Sequence, residues 1–77
     1  MDYLATFHTH YGAMAFYRFC NGKGIAARMA PVPRELSASC GVCVCLSAES
    51  PPKPAEHEDM ECCYQLAANS RYKAVEG

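Results

Sequence analysis

Hydrophobic and polar positions change period several times along the chain. Residues 2–7, "DYLATF", are β-prone and stop at a polar "HTH", the pattern of a short strand feeding a loop. The period then becomes helical. Ala13, Phe16, Tyr17 and Cys20 fall at i, i+3, i+4 and i+7, which predicts an amphipathic helix over residues 9–21 with Thr9 as its N-cap. "NGKG" ends it, because Asn and Gly take the left-handed conformation cheaply at a helix C-terminus. In "IAARMAPV", Ile25, Ala27 and Met29 alternate with Ala26, Arg28 and Ala30, as in a strand with one buried face. Pro31 and Pro33 close that strand, since proline cannot donate to a sheet ladder.

After the loop "RELSASCG" (34–41), "VCVCLS" (42–47) reads as a short strand buried on both faces. The Pro-rich "AESPPKPAEHED" then runs into an acidic first turn, where Glu56, Glu58 and Asp59 would complement a helix dipole. Met60, Cys63, Tyr64 and Ala67 repeat the helical spacing and predict a second helix over 55–68, with Asn69 at its C-cap. "RYKAVE" (71–76) is the expected last strand. The order is βαββαβ, which predicts one α+β domain over residues 1–77: a ferredoxin-like antiparallel sheet with two helices on one face. With a right-handed crossover, strands 1 and 2 run parallel and strand 3 returns between them. His8, Thr9 and His10 then neighbour residues 34–41, and the N-terminus of the first helix points toward Cys40.

Size and charge narrow the function. A chain of 77 residues hides only about 60% of the surface it exposes when unfolded, which argues against a large enclosed active site. Seven Lys and Arg, scattered and balanced by eight Asp and Glu, give little support to nucleic-acid binding. No apolar run suits a signal segment or a membrane span, so a soluble cytoplasmic protein with no membrane partner is expected. In that compartment the six cysteines are expected to be mostly reduced rather than a disulfide framework. No carboxylate pair, nucleotide loop or Ser-His-Asp set supports hydrolysis or phosphoryl transfer, and no cofactor is expected.

Three cysteines fall within six positions of "RELSASCGVCVC" (34–45). A thiol becomes nucleophilic as the thiolate, which is favoured beside Arg, His⁺ or a helix N-terminus. Arg34 in the same loop and His8 and His10 across from it make Cys40 the candidate reactive thiol. Ser37, Ser39 and the backbone N–H groups around Gly41 would hydrogen-bond a thiolate, a persulfide terminus or an oxyanion. The plainer alternative is a small residue tucked under the loop. Cys40, Cys43 and Cys45 also offer thiolates at zinc- or copper-ligand spacing, an alternative metal set that lacks a clean second pair. On a strand, Cys43 and Cys45 face away from Val42 and Val44 and suit packing better than ligation. Cys20 and Cys63 fall on apolar faces and Cys62 on a flank, while His8 and His10 taken singly suit exposed loop positions.

"YLATFHT", the helix, "GIAARMAPVPRELSASCG" and the apolar strand after it together resemble the Se/S carrier protein-like family, a group of very small bacterial proteins. The resemblance runs from residue 3 to about 46, and "PVPR" (31–34) followed by "SCG" (39–41) is its most specific part. It implies a single-domain carrier linked with sulfur and selenium metabolism, with the chalcogen held on Cys40. A donor enzyme such as a cysteine desulfurase would load it and an acceptor protein would unload it, which makes the chain a carrier more than a free-standing enzyme. Homo-oligomerisation is left open. A thiolate metal-binding module and a non-catalytic interaction module are the readings from other classes.

Overall fold

The computed structural model describes residues 1–67 and 71–75. Its elements are β1 (Asp2–Phe7), α1 (His10–Gly22), β2 (Ala26–Pro31), β3 (Val42–Ser47), a single 3₁₀ turn at Pro54–Glu56, β4 (Met60–Leu66) and β5 (Tyr72–Ala74). The strands form one sheet in the order β2-β3-β1-β4-β5. Every neighbouring pair is antiparallel. Since β1 and β2 both oppose β3, they run parallel to each other with β3 between them. The first half thus has the expected split βαβ arrangement.

The second half departs from the expected fold. Of the helix expected over 55–68, the described residues 55–67 form none: the Pro-rich segment makes one 3₁₀ turn and the chain then enters β4. Among the described residues the architecture is βαββββ with one α-helix, so the two-helix ferredoxin-like arrangement is corrected in this respect. The misleading signal has a specific origin. Thr6 pairs with Cys62 but Phe7 pairs with Met60, so Glu61 is an extra residue in a β-bulge. That insertion turns Met60 and Cys63, three apart, onto the same face of the sheet opposite Phe7 and Ala5. A bulged strand with this spacing imitates one turn of an amphipathic helix. Tyr64 lies on the opposite face, beside Leu4. The last strand, expected over 71–76, is observed over Tyr72–Ala74; Asn69, the expected C-cap, and Glu76 are outside the described residues.

The core lies between α1 and one face of the sheet. Tyr3, Ala5 and Phe7 from β1 meet Val44 and Leu46 from β3, Met60 and Cys63 from β4, and Ala13, Phe16 and Cys20 from the helix. Ile25, Ala27 and Met29 pack against it, as the alternation of β2 requires. On the other face, Arg28, Cys45, Leu4 and Tyr64 form one row across four strands. Ala30, Cys43, Thr6 and Cys62 form the next. Cys43 and Val44 point to opposite faces and both are fully buried, so β3 is covered on both sides over these positions.

The N-terminus of α1 is held by a residue that the sequence assigned elsewhere. Thr9 caps the helix by accepting a hydrogen bond from the Gly12 N–H at 3.0 Å. Asp59 Oδ2 accepts from both the Thr9 N–H (3.1 Å) and the Thr9 hydroxyl (2.8 Å). Its carboxylate therefore sits at the positive end of α1 rather than in the first turn of a second helix. The His57 ring, edge-on to Phe16 at 4.9 Å and Phe19 at 5.4 Å, anchors the approaching segment. At the other end of α1 the left-handed residue is Gly24, with φ of 73°.

Gly12 permits this closure, because a β-carbon there would overlap the Asp59 side chain. Gly→Ala inside a helix is ordinarily favourable by roughly 0.5–1 kcal/mol. Here Gly12→Ala should instead lower stability by about 1–2 kcal/mol, the scale of a lost cap. Denaturant unfolding of the single variants and the Gly12→Ala/Asp59→Ala double variant checks it. In the absence of Asp59 the alanine should become neutral or stabilising, and a Gly12→Ala variant as stable as the parent would refute the steric account.

Candidate functional site

The loops that carry the residues singled out in the sequence leave the same end of the sheet, where β1 finishes and β3 begins. The β2–β3 loop closes on itself through the Val32 N–H, which donates to the Gly41 carbonyl at 3.1 Å, and contains a turn in which the Leu36 N–H donates to the Pro33 carbonyl at 3.0 Å. From its base the loop reaches past β1 to β4. The Ser39 N–H donates to one oxygen of Glu61 at 3.0 Å and the Ser39 hydroxyl donates to the other at 2.9 Å. His8 Nδ1 stands 3.7 Å from the same carboxylate. Of the neighbourhood expected from topology between residues 8–10 and 34–41, His8 and Ser39 are brought together, each on the Glu61 carboxylate.

Nothing in the sequence pattern marked Glu61, which had been absorbed into the expected second helix. Its position follows from the bulge that makes it the extra residue of β4. The two donors of Ser39 hold its carboxyl below the ordinary carboxylate value of 4.5, and His8 adds a smaller contribution. Ser39 is therefore a tether. Both of its donors are committed to Glu61, so they do not point at a thiolate on Cys40.

Cys40 lies between this tether and Gly41, partly exposed, at the mouth of β3. Arg34 and Ser37 are exposed on the same loop, and His10 is exposed at the first position of α1. Among the described residues none hydrogen-bonds the Cys40 thiol. The end of α1 does not serve Cys40 as expected, because Thr9 and Asp59 already occupy it. Gly41 accepts the loop-closing bond through its carbonyl.

The other cysteines differ sharply in environment. Cys20 is buried in the core and burial pushes its thiol up. Cys63 is 1% exposed, and burial, followed by the neighbouring Cys62, pushes it up to about 11. Cys43 is fully buried, its thiol 3.7 Å from the Pro31 carbonyl as a donor, and is pushed up to about 12, first by burial and then by Cys45. Cys45 and Cys62 are half-buried on the helix-free face. All six are free thiols. Among the described residues no group of three or more His, Cys, Asp and Glu side chains could hold a metal ion, so Cys40, Cys43 and Cys45 do not converge as a ligand set. No helix among the described residues is long and apolar enough to cross a membrane.

A model of the Putative Se/S carrier protein-like family matches residues 2–69. The chain belongs to that family. The match extends beyond the "PVPR" and "SCG" motifs through β4, and so includes Glu61 as well as Cys40. Searches of curated proteins and of solved structures each found no match. Family membership points to partners in sulfur or selenium transfer.

Proposed function

We propose that this protein carries sulfur or selenium on Cys40, taking it from a donor enzyme and surrendering it to an acceptor in the cytoplasm. The observation that carries this reading is the presentation of Cys40. It is a partly exposed thiol in a loop tied down on both sides, by Ser39 to Glu61 and by Val32 to Gly41, in a chain of the carrier-like family. A tether next to the thiol limits the conformational freedom lost when a partner's active site closes on it. Arg34, Ser37, His8 and His10 are the exposed groups of the two loops available to an anionic outer atom, with the Gly41 backbone beside it. Ser39 contributes through position.

In the transfer, the Cys40 thiolate attacks the terminal sulfur of a persulfide on the donor's cysteine. The donor's S–S bond breaks, its thiolate leaves with the bonding pair, and Cys40–S–SH forms. Selenium follows the same route. A second attack, by an acceptor nucleophile on the outer atom, restores the Cys40 thiolate. No cofactor enters either step.

The test is intact mass of the anaerobically purified protein after incubation with a cysteine desulfurase, such as the donor proposed here, and cysteine. One added sulfur is expected on the parent chain and none on Cys40→Ser. Equal loading of the Cys40→Ser variant would refute the assignment.

A further inference from the structure

The sheet face turned away from α1 presents a partly exposed thiol, Cys45, outside the Cys40 loop. A groove of about 400 Å³ lies on this face, lined among others by Asp2, Leu4, Arg28, Cys45, Leu66 and Tyr72. Arg28 and Cys45 are directly opposed on β2 and β3, on the same face, at the separation where cross-strand side chains interact. Leu4, the next strand's member of that row, forms an apolar floor. Asp2 lies one row along on β1 and is exposed. The groove thus offers a cation and an anion about an apolar floor, with a half-buried thiol beside the cation.

The second thiol of this strand is closed off from the groove. Cys43, two residues away on the same face, is fully buried, its S–H donates to the Pro31 carbonyl, and burial above all pushes its pKa up to about 12. The Arg28 guanidinium, directly opposite Cys45 in the sheet, places a cation beside the thiol that lines the groove. Only Cys45 of this pair lines the groove.

We infer that this groove binds a small amino-acid-headed disulfide, its carboxylate on Arg28 and its ammonium on Asp2, and that Cys45 exchanges with it to form a mixed disulfide. The zwitterionic head matches the two charges, and the disulfide is the electrophile a thiolate in the groove would meet. Cys45 loses its proton to water and its thiolate attacks one sulfur of R–S–S–R. The S–S bond breaks, Cys45–S–S–R forms, and R–S⁻ leaves with the bonding pair and is protonated by solvent. Cys45 is oxidised and the departing half is reduced, so the disulfide itself is the oxidant.

The experiment uses the full chain carrying Cys40→Ser, so that its outcome is independent of the carrier reading. The protein is incubated with cystine, with cystamine, which lacks the carboxylate, and with uncharged 2-hydroxyethyl disulfide. The modified cysteine is mapped by digestion and mass spectrometry, and each rate is divided by that of the same reagent with a free thiol. Cys45 should be modified about fivefold faster by cystine than by the uncharged reagent, the scale of one partly exposed charge contact. Arg28→Gln should remove that preference, and Asp2→Asn should slow both cystine and cystamine. Unmodified Cys45 when Cys62 has reacted would overturn the proposal, as would a rate indifferent to reagent charge and to Arg28→Gln.

Discussion

Replacing Phe7 with alanine should lower the folding stability of the chain by about 3–5 kcal/mol. Phe7 is 1% exposed, and its ring lies 5.3 Å from that of Phe16, between the last turn of sheet pairing and the first half of α1. Truncating a buried phenylalanine costs about 3–5 kcal/mol, the transfer free energy of the lost atoms plus the cavity left behind. At roughly 0.05–0.15 kcal/mol per residue, a domain of this length has a total stability of about 4–12 kcal/mol. The substitution thus removes a large fraction of it. Phe7 also occupies the position opposite Met60 at the β4 bulge, so the loss falls on the joint that orients Glu61. Far-UV circular dichroism and urea unfolding check this, with Phe7→Leu as the milder comparison. A Phe7→Ala variant with the parent's midpoint would place the core elsewhere.

The second large effect is a wide spread in cysteine reactivity. Cys43, raised from 9.0 to about 12, holds about a thousandfold less thiolate at neutral pH than an ordinary thiol, and Cys63, raised to about 11, about a hundredfold less. Burial of both sulfurs slows them further. In timed alkylation of the native protein near pH 7.5, Cys40, Cys45 and Cys62, all partly exposed, should be labelled first. Cys20, Cys43 and Cys63 should react only when the chain opens. Early labelling of Cys43 would contradict the packing described above. The same shifts predict a direction for alkaline stability. A thiol whose folded pKa is raised keeps its proton in the native state after the unfolded chain has begun to lose it. Its contribution is complete below about pH 9, the unfolded value, and is lost as pH rises toward 11 and 12. Urea midpoints should therefore fall from pH 9 upward, and Cys63→Ala should flatten part of that fall.

Much of the site was legible because it sits in the half of the chain with clean periodicity. β1, α1, β2 and β3 appear where alternation and helical spacing put them, and a βαβ crossover with a strand returning between its ends brings His8 and Ser39 together. The motif residues Ser39, Cys40 and Gly41 follow from that. What sequence missed was electrostatic. Glu61 and Asp59 lie within one acidic stretch, and local reasoning assigned Asp59 to a helix of its own. In the folded chain Asp59 closes the N-terminus of α1, whereas Glu61 holds Ser39. Their partners are 50 and 22 residues away, and no local propensity encodes such pairings.

The amino-acid sequence by itself determined the first four elements, the Thr9 cap, the core roles of Cys20 and Cys63, and the shared face of Cys43 and Cys45. These depend on local periods of 3.6 and 2 or on a single capping side chain, and both are local properties. Only the tertiary structure decided that residues 60–66 form a strand. A bulge shifts that strand's spacing by one residue, so Met60 and Cys63 share a face in either conformation, and their pattern cannot separate helix from strand. Pairing decides it. The edge of β1 that β3 leaves free hydrogen-bonds β4, and that long-range requirement outweighs the helical spacing of its side chains.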